Sequence, residues 1–276
     1  MPRSRRSKAF VRRFADERVS GRQPDLLVVE EPLTIQVDGT TVATTMRTPG
    51  HDFELAVGFC VGEGLLVGAH VRACRYCAGG SGPDGAATAD RASATEFNVV
   101  SVDTDGGGPV PQARLGLVSS ACGLCGTNQI DELAERLAPL GEAPPFDPAV
   151  LAGAPDLVRA RQTLFDETGA AHAAALIGAD GEVDLVREDI GRHNAVDKVV
   201  GRLQLDGRLP ASDLGLFVSG RASFEMVLKA WAAGFSAMVA VSAPSALAVD
   251  AAARAGLTLA GFARDGALTL YTGLDR

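Results

Sequence analysis

A layered α/β domain preceded by a smaller, loop-rich lobe is the fold class this sequence predicts, and three observations predict it. From about residue 119 onward, short apolar runs alternate with helical patterns, the order that builds a sheet covered by helices. Ahead of that, residues 26–118 hold short strands separated by Gly-, Ala- and Asp-rich stretches. The 276 residues, 46% hydrophobic and 22% charged, suffice for one large or two modest soluble domains.

Residues 1–25 read as a disordered basic arm. The first 22 residues carry eight Arg or Lys against Asp16 and Glu17, which leaves a net charge near −14 on the rest of a chain whose total is −8. Nothing specific to DNA or RNA follows, so no nucleic-acid partner is expected. Strands come next at Leu26–Val29, Leu33–Val37 and Val42–Met46, the last two joined at Asp38-Gly39. Asp52 then caps a helix in which Phe53, Ala56, Val57, Cys60 and Val61 recur at helical spacing, with Cys60 a small buried hydrophobe. Residues 78–95 read as a loop, Phe97–Val102 as a strand and residues 103–112 as a second loop.

In the second domain, 119–276, a helix Ile130–Leu140 is closed by Gly141. Strands Ala173–Ile177 and Val183–Val186 meet at Ala179-Asp180-Gly181, and a helix Val196–Leu203 follows. Leu214–Val218 is a buried strand. A helix Phe224–Ala233 is capped by Ser223 and ends at Gly234. Strand Ala237–Val241, helix Leu247–Ala255 and strands Leu257–Phe262 and Leu268–Tyr271 complete the order. There is no apolar run of transmembrane length and no apolar core of a secretory signal, so a cytoplasmic protein without a membrane partner is expected.

Four of the five cysteines form two C-x-x-C pairs, Cys74–Cys77 and Cys122–Cys125. Cys122 and Cys125 sit in a glycine-rich run just before the expected helix, where the positive end of a helix dipole favours thiolate. Spacing alone leaves sulfur relay, disulfide cycling and a four-cysteine zinc module open. A zinc deaminase reaction is disfavoured, because none of the four histidines is followed two residues later by the Glu that would shuttle protons.

Three successive strand ends are dense in polar groups: Arg187–Asn194, Ser219–Ser223 and Ser242–Ser245. Ligands of open α/β sheets gather at such carboxyl ends, where helix amino termini offer N–H groups to anions. Arg192 and Arg221 are candidate phosphate partners through forked hydrogen bonds, His193 is a candidate proton donor, and no P-loop or G-x-G-x-x-G fingerprint is present.

These segments together resemble the FdhD family of formate dehydrogenase accessory sulfurtransferases. The resemblance rests on Arg47-Thr48-Pro49-Gly50-His51-Asp52-Phe53, Cys122-Gly123-Leu124-Cys125-Gly126, Gly169-Ala170-Ala171-His172, Glu188-Asp189-Ile190-Gly191-Arg192-His193-Asn194-Ala195-Val196-Asp197-Lys198, Ser219-Gly220-Arg221 and Ser242-Ala243-Pro244-Ser245. Cys74 and Cys77 have no place in that pattern. The resemblance implies a cytidine-deaminase-like α/β domain with a smaller α+β lobe, in a homodimer. It implies sulfur transfer from a cysteine desulfurase, through a persulfide on Cys122 with Cys125 as its companion, to the molybdenum cofactor of the formate dehydrogenase catalytic subunit. It also implies binding of Mo-bis(molybdopterin guanine dinucleotide), which GDP-like nucleotides would mimic. Phe262, Ala263, Arg264, Asp265, Gly266 and Ala267 match the cofactor segment, with Arg192, His193, Ser219 and Arg221 beside it and no resident metal. A zinc interaction module, or a cofactor chaperone that transfers no sulfur, is the alternative.

Overall fold

The computed structural model describes residues 4–15, 18–77, 98–109, 117–118, 137–142 and 145–273. Cys122, Cys125 and most of the helix expected at Ile130–Leu140 lie outside these residues. The part of that helix that is described, Leu137–Leu140, is not helical.

A twisted ribbon opens the chain. Strands β1 (Arg6–Val11) and β4 (Gln23–Val28) pair antiparallel from Arg6↔Val28 to Val11↔Gln23, and β2 (Phe14–Ala15) pairs β3 (Arg18–Val19) beyond them. The stretch expected as a disordered arm therefore holds paired strands in its described residues. Its base is tied down: Arg5 Nη2 donates to Glu188 O at 3.2 Å, and Arg6 pairs with Glu167.

The smaller lobe is a five-stranded sheet with a helix on it. Strands β5 (Glu31–Val37), β6 (Thr40–Arg47), β7 (Val71–Tyr76), β8 (Val99–Thr104) and β9 (Leu117–Val118) stand in the order β7-β8-β5-β6-β9. Leu33, Ile35 and Val37 alternate onto one face, as the two-residue period of a strand requires, and meet α1 (Asp52–Gly62). Helix α1 is buried almost all round because it has two partners, this sheet on one side and α4 (Arg192–Leu205) on the other. Asp52 does not cap it. His51 occupies the cap position in the left-handed region, at φ 58°, and the Asp52 carboxylate instead accepts two hydrogen bonds from buried Arg47, at 3.0 and 2.8 Å.

The larger lobe is a six-stranded sheet covered on both faces. Strands β10 (His172–Gly178), β11 (Val183–Asp189), β12 (Leu214–Val218), β13 (Ala237–Ala240), β14 (Thr258–Arg264) and β15 (Ala267–Leu270) stand in the order β11-β10-β12-β13-β14-β15. The central trio β12, β13 and β14 is parallel. Alternation sends Ala173, Ala175, Ile177, Phe217 and Val239 toward α2 (Pro148–Arg159), with the short α3 (Thr163–Thr168) following it. Leu176, Leu216, Val218, Met238 and Leu259 face α4, α5 (Phe224–Ala232) and α6 (Ala246–Ala255) on the other side. Trp231, buried on α5, donates its indole N–H to Ala138 O at 2.7 Å, and Leu140 N donates to Ala255 O at 2.8 Å. No helix of the described residues is long and apolar enough to cross a membrane.

The two lobes meet where α1 crosses α4, and glycine makes the crossing possible. A Cβ on Gly58 would lie 1.8 Å from Asp197 O, and one on Gly201 would lie 1.8 Å from Glu54 O. The helices thus touch backbone to backbone, a distance no other residue permits. Paired charges surround the contact. Lys198 Nζ lies 2.7 Å from Asp189 Oδ2, with both side chains fully buried, and also donates to Thr48 O at 3.0 Å. Asp189 accepts in addition from Thr48 N at 3.1 Å and Asn194 Nδ2 at 3.1 Å. Lys229 Nζ donates to Asp197 Oδ1 at 2.7 Å, and Arg187 grips Glu54 through both oxygens.

Candidate functional site

The antiparallel insertion of β10 beside β12 gives the larger sheet one polar end. The amino end of β10 and the carboxyl ends of β11, β12, β13 and β14 all finish there. Backbone hydrogen bonds continue the sheet beyond its strands. Ser219 N donates to Ala173 O at 2.9 Å, Ser242 N to Gly220 O at 3.2 Å and Phe262 N to Ser242 O at 3.3 Å. The three polar strand ends singled out in the sequence are therefore neighbours at one edge.

A cavity of about 520 Å³ opens at this edge, and Arg159, His172, Ser219, Ala263, Arg264 and Asp265 are among its lining residues. Its volume falls within the range that encloses one ligand of drug size. Ser219 is fixed at its mouth. Its Oγ accepts from Ala173 N at 2.8 Å and lies 3.3 Å from His172 Nδ1. Phe165 of the lining is held by Glu188, whose carboxylate accepts from Leu164 N at 2.9 Å and Phe165 N at 2.8 Å and so fixes the start of α3. Burial, with Arg192 nearby, pulls the His172 pKa below its ordinary value and keeps the ring neutral at pH 7.

Ser219, Ala263, Arg264 and Asp265, named from the sequence, line the cavity, whereas Phe262, Gly266, Ala267, Arg192, His193 and Arg221 do not. Arg192 packs against Gly220, its Cδ 3.4 Å from where a Cβ there would be, and Arg221 is exposed. Phe262 is held with φ 52°, an unusual state for a bulky side chain, where the pairing of β14 with β15 shifts register. The residue is 45% exposed although it is a large hydrophobe.

His193 lies deeper. Its Nδ1 is 2.9 Å from Glu225 Oε1, both side chains are largely buried, and Nε2 has no hydrogen-bond partner among the described residues. Burial lowers its pKa, with the Glu225 carboxylate acting in the opposite sense. Ser223 takes the cap position of α5 without making a cap hydrogen bond, and its Oγ is also buried without a partner among the described residues. Two such groups beside the strand ends make this a candidate place for a ligand.

Arg159, Asp156, Gln162 and Phe165 also line the cavity and were not marked by the sequence. They sit on or beside α2 and α3, where no element was expected. The available signal was Asp147-Pro148, a helix start in which Asp147 caps Ala149 N at 2.8 Å.

The cysteines divide. Cys60 is fully buried, and burial raises its pKa far out of the reactive range. Cys74 packs half-buried against the core of the smaller lobe, its thiol pushed up to about 11 by burial and by Asp103. Cys74 lies within an extended strand and Cys77 follows its end, so this pair is not built on the tight turn that converges two thiolates of a zinc knuckle. Among the described residues, no group of three or more His, Cys, Asp or Glu side chains is placed to hold a metal ion.

Comparison with known proteins agrees with this architecture. The sequence model of the FdhD/NarQ family matches residues 28–276. The chain is 48% identical to the sulfur carrier protein FdhD of Streptomyces coelicolor, over 96% of this chain and 93% of that protein. It is 46% identical to the sulfur carrier protein FdhD of Corynebacterium efficiens, over 91% of this chain and 90% of that one. In fold it matches a crystal structure from Desulfotalea psychrophila, of a protein described provisionally as a formate dehydrogenase accessory protein. That match has a TM-score of 0.73 at 21% identity and covers 99% of both chains.

Proposed function

The chain belongs to the FdhD/NarQ family, and from that premise we propose that it carries sulfur for the maturation of formate dehydrogenase. In this reading it is a cytoplasmic homodimeric sulfurtransferase with cytidine-deaminase-like layering in its larger lobe. It takes sulfur from a cysteine desulfurase and delivers it to Mo-bis(molybdopterin guanine dinucleotide). The supporting observation is the place of the cavity: Ala263, Arg264 and Asp265, from the segment matched to the cofactor, form part of its wall.

The lining fits one guanine nucleotide end of that cargo. Arg159, Arg264 and the His172–Ser219 pair offer donors to phosphate oxygens, and Asp156 or Asp265 can accept from the N–H edge of guanine. The exposed Phe262 ring beside them offers a stacking face. A cavity of about 520 Å³ suits one such end rather than the whole bis-cofactor. GDP would mimic it.

The sulfur step conserves electrons. The Cys122 thiolate attacks the outer sulfur of the donor persulfide; that S–S bond breaks, a new one forms on Cys122, and the donor cysteine leaves as thiolate. Release as sulfide follows when the Cys125 thiolate attacks Cys122 Sγ, leaving a Cys122–Cys125 disulfide that a thiol reductant must reopen.

The test is to incubate the purified protein with a cysteine desulfurase and labelled cysteine and to map the added sulfur by peptide mass spectrometry. An adduct of roughly +32 Da, one sulfur, on Cys122 or Cys125 is the expected result. Cys122→Ala is expected to abolish formate dehydrogenase maturation with folding intact, and full activity in that variant would overturn the reading. A cofactor chaperone would bind GDP yet never acquire label.

A further inference from the structure

Helices α4 and α5 start side by side at the polar end of the larger sheet. Gly191 and Ser223 precede them, and neither supplies a side-chain hydrogen bond to its helix. His193, second residue of α4, and Glu225, second residue of α5, meet across the gap with Nδ1 2.9 Å from Oε1. One turn deeper the same two helices meet again, where Lys229 Nζ donates to Asp197 Oδ1 at 2.7 Å. Residues i and i+4 of each helix thus form two rungs, and the buried lower rung fixes the spacing of the upper. His193 is only 6% exposed, yet Arg192, Ser223, Phe224 and Glu225 are each partly exposed, so the ring lies one residue below the surface. Neither His193, Ser223 nor Glu225 lines the cavity described above.

Two atoms that both carry lone pairs do not stand 2.9 Å apart unless a proton lies between them. An imidazole is more basic than a carboxylate by about two pH units, so the proton belongs to Nδ1 and Glu225 remains a carboxylate. The contact is bent, as contacts of proton-transferring groups often are before the reacting group is in place. A neutral ring with its proton on Nδ1 carries a bare lone pair on Nε2. That atom is buried and has no hydrogen-bond partner among the described residues, and the same holds for Ser223 Oγ. What Nε2 lacks is therefore a donor. Burial keeps the ring neutral, aided by the charges of Lys229 and Arg192, while Glu225 opposes them; His172 on β10 is the other titratable group within its field.

The donor that fits is a weak acid. A group arriving as an anion would meet the Glu225 carboxylate. A neutral acid that gives its proton to Nε2 instead leaves an anion facing the first-turn N–H groups of two helices and an imidazolium facing Glu225. Hydroxyl and amide groups are too weakly acidic for that exchange, whereas a thiol, with a pKa of about 8.5, is not. We propose that His193, positioned by Glu225, is the proton acceptor for a thiol held at the starts of α4 and α5. The proposal rests on the sulfur-carrier reading, in which a thiol must become thiolate before it attacks. The S–H bond breaks, its electron pair stays on sulfur and its proton passes to Nε2. Attack on the donor persulfide then expels the donor's cysteine as thiolate; that thiolate takes the proton back, and the ring returns to its neutral state. Ser223, at the cap of α5, offers the sulfur a hydroxyl.

The experiment compares the full chain with His193→Gln and Glu225→Gln from about pH 6 to about pH 9.5, a range that spans thiol ionisation. Two rates are measured: uptake of labelled sulfur from a cysteine desulfurase, and alkylation of Cys122 and Cys125 by iodoacetamide, read by peptide mass spectrometry. In His193→Gln, uptake is expected to fall about tenfold near pH 7 and to approach the unaltered rate near pH 9, where a thiol ionises without help. Alkylation that falls and recovers in step assigns the thiol to this chain's own C-x-x-C pair. Unchanged alkylation beside the same uptake profile assigns it to the sulfur donor, and either result upholds the proposal. Glu225→Gln is expected to shift the uptake profile the same way by a smaller factor. A loss equal at every pH marks a structural role and overturns the inference, as does no loss at all; the sulfur-carrier reading survives both. Absence of label on the unaltered protein overturns that reading and this inference together. Should His193→Gln misfold, nitrogen-15 NMR of the unaltered protein reads the ring directly. A proton on Nδ1 and a bare Nε2 are expected at neutral pH, and a proton on Nε2 overturns the inference.

Discussion

The lobe junction and the polar end of the larger sheet are both rich in buried polar side chains, yet they treat them in opposite ways. At the junction, Lys198, Asp189, Lys229, Asp197, Arg187 and Glu54 each have a counter-ion within hydrogen-bond distance. At the sheet end, His193 Nε2 and Ser223 Oγ are buried without a hydrogen-bond partner among the described residues, and arginines border a cavity. A completed network gives rigidity; an incomplete one gives a place for something else to bind. The junction therefore reads as the frame and the sheet end as the site.

Three measurements would break or sharpen that contrast. The largest effect belongs to Gly201→Val, which drives a side chain into the Glu54 carbonyl, from which even its Cβ would lie only 1.8 Å away. A loss of at least about 4 kcal/mol, or no cooperative unfolding at all, is expected in chemical denaturation. A stable Gly201→Val protein would mean the two helices are not in backbone contact. Next comes Lys198→Met, which strands a fully buried Asp189. It should cost about 3 kcal/mol, with much of that recovered when Asp189→Asn is added. No recovery in the double variant would show the pair to be something other than a charge clamp.

The smallest stability effect should come from Glu225→Gln at the sheet end, under about 1 kcal/mol at pH 7. The readout is the titration of His193 by NMR. Burial already holds its pKa low, and removing the carboxylate that opposes this should lower it further. An unchanged or higher value would mean that Glu225 does not face the ring as a carboxylate. The sign for stability follows from linkage. The folded state resists protonating His172 and His193, so it binds fewer protons than the unfolded chain below about pH 6.5, and stability falls as pH is lowered through that region. Glu54 acts in a lower window. Burial would raise its pKa, but Arg187 and His51 bring it down to about 2, so its contribution is present above its ordinary 4.5 and lost as pH falls toward 2.

The strands of the larger lobe were legible because each is an uninterrupted apolar run closed by a turn, as at Leu214–Val218, where expectation and structure coincide. Helix α2 was not, because Gly153 and Pro155 interrupt its propensity and packing on β14 and β15 compensates for them. The paired ribbon was illegible for a different reason: charge density reads as a tail, whereas the ladder between β1 and β4 depends on register. Three strand ends were each visible as polar loops, but only the sheet order, with β10 reversed beside β12, places them at one edge. His193 was visible as a residue and Glu225 was not, since their meeting requires two helices whose starts, Arg192 and Phe224, are far apart in sequence to lie side by side.

The bond from Trp231 to Ala138 has a spectroscopic consequence. Trp231 is the chain's single tryptophan, so all indole emission comes from one buried position whose N–H is tied to the segment that follows the Cys122–Cys125 stretch in sequence. Its wavelength and quenching report directly whether residues 137–140 stay seated against α5, with no label attached. Any event that lifts residues 137–140 from α5, the proposed sulfur loading among them, is thus expected to register in the protein's own fluorescence.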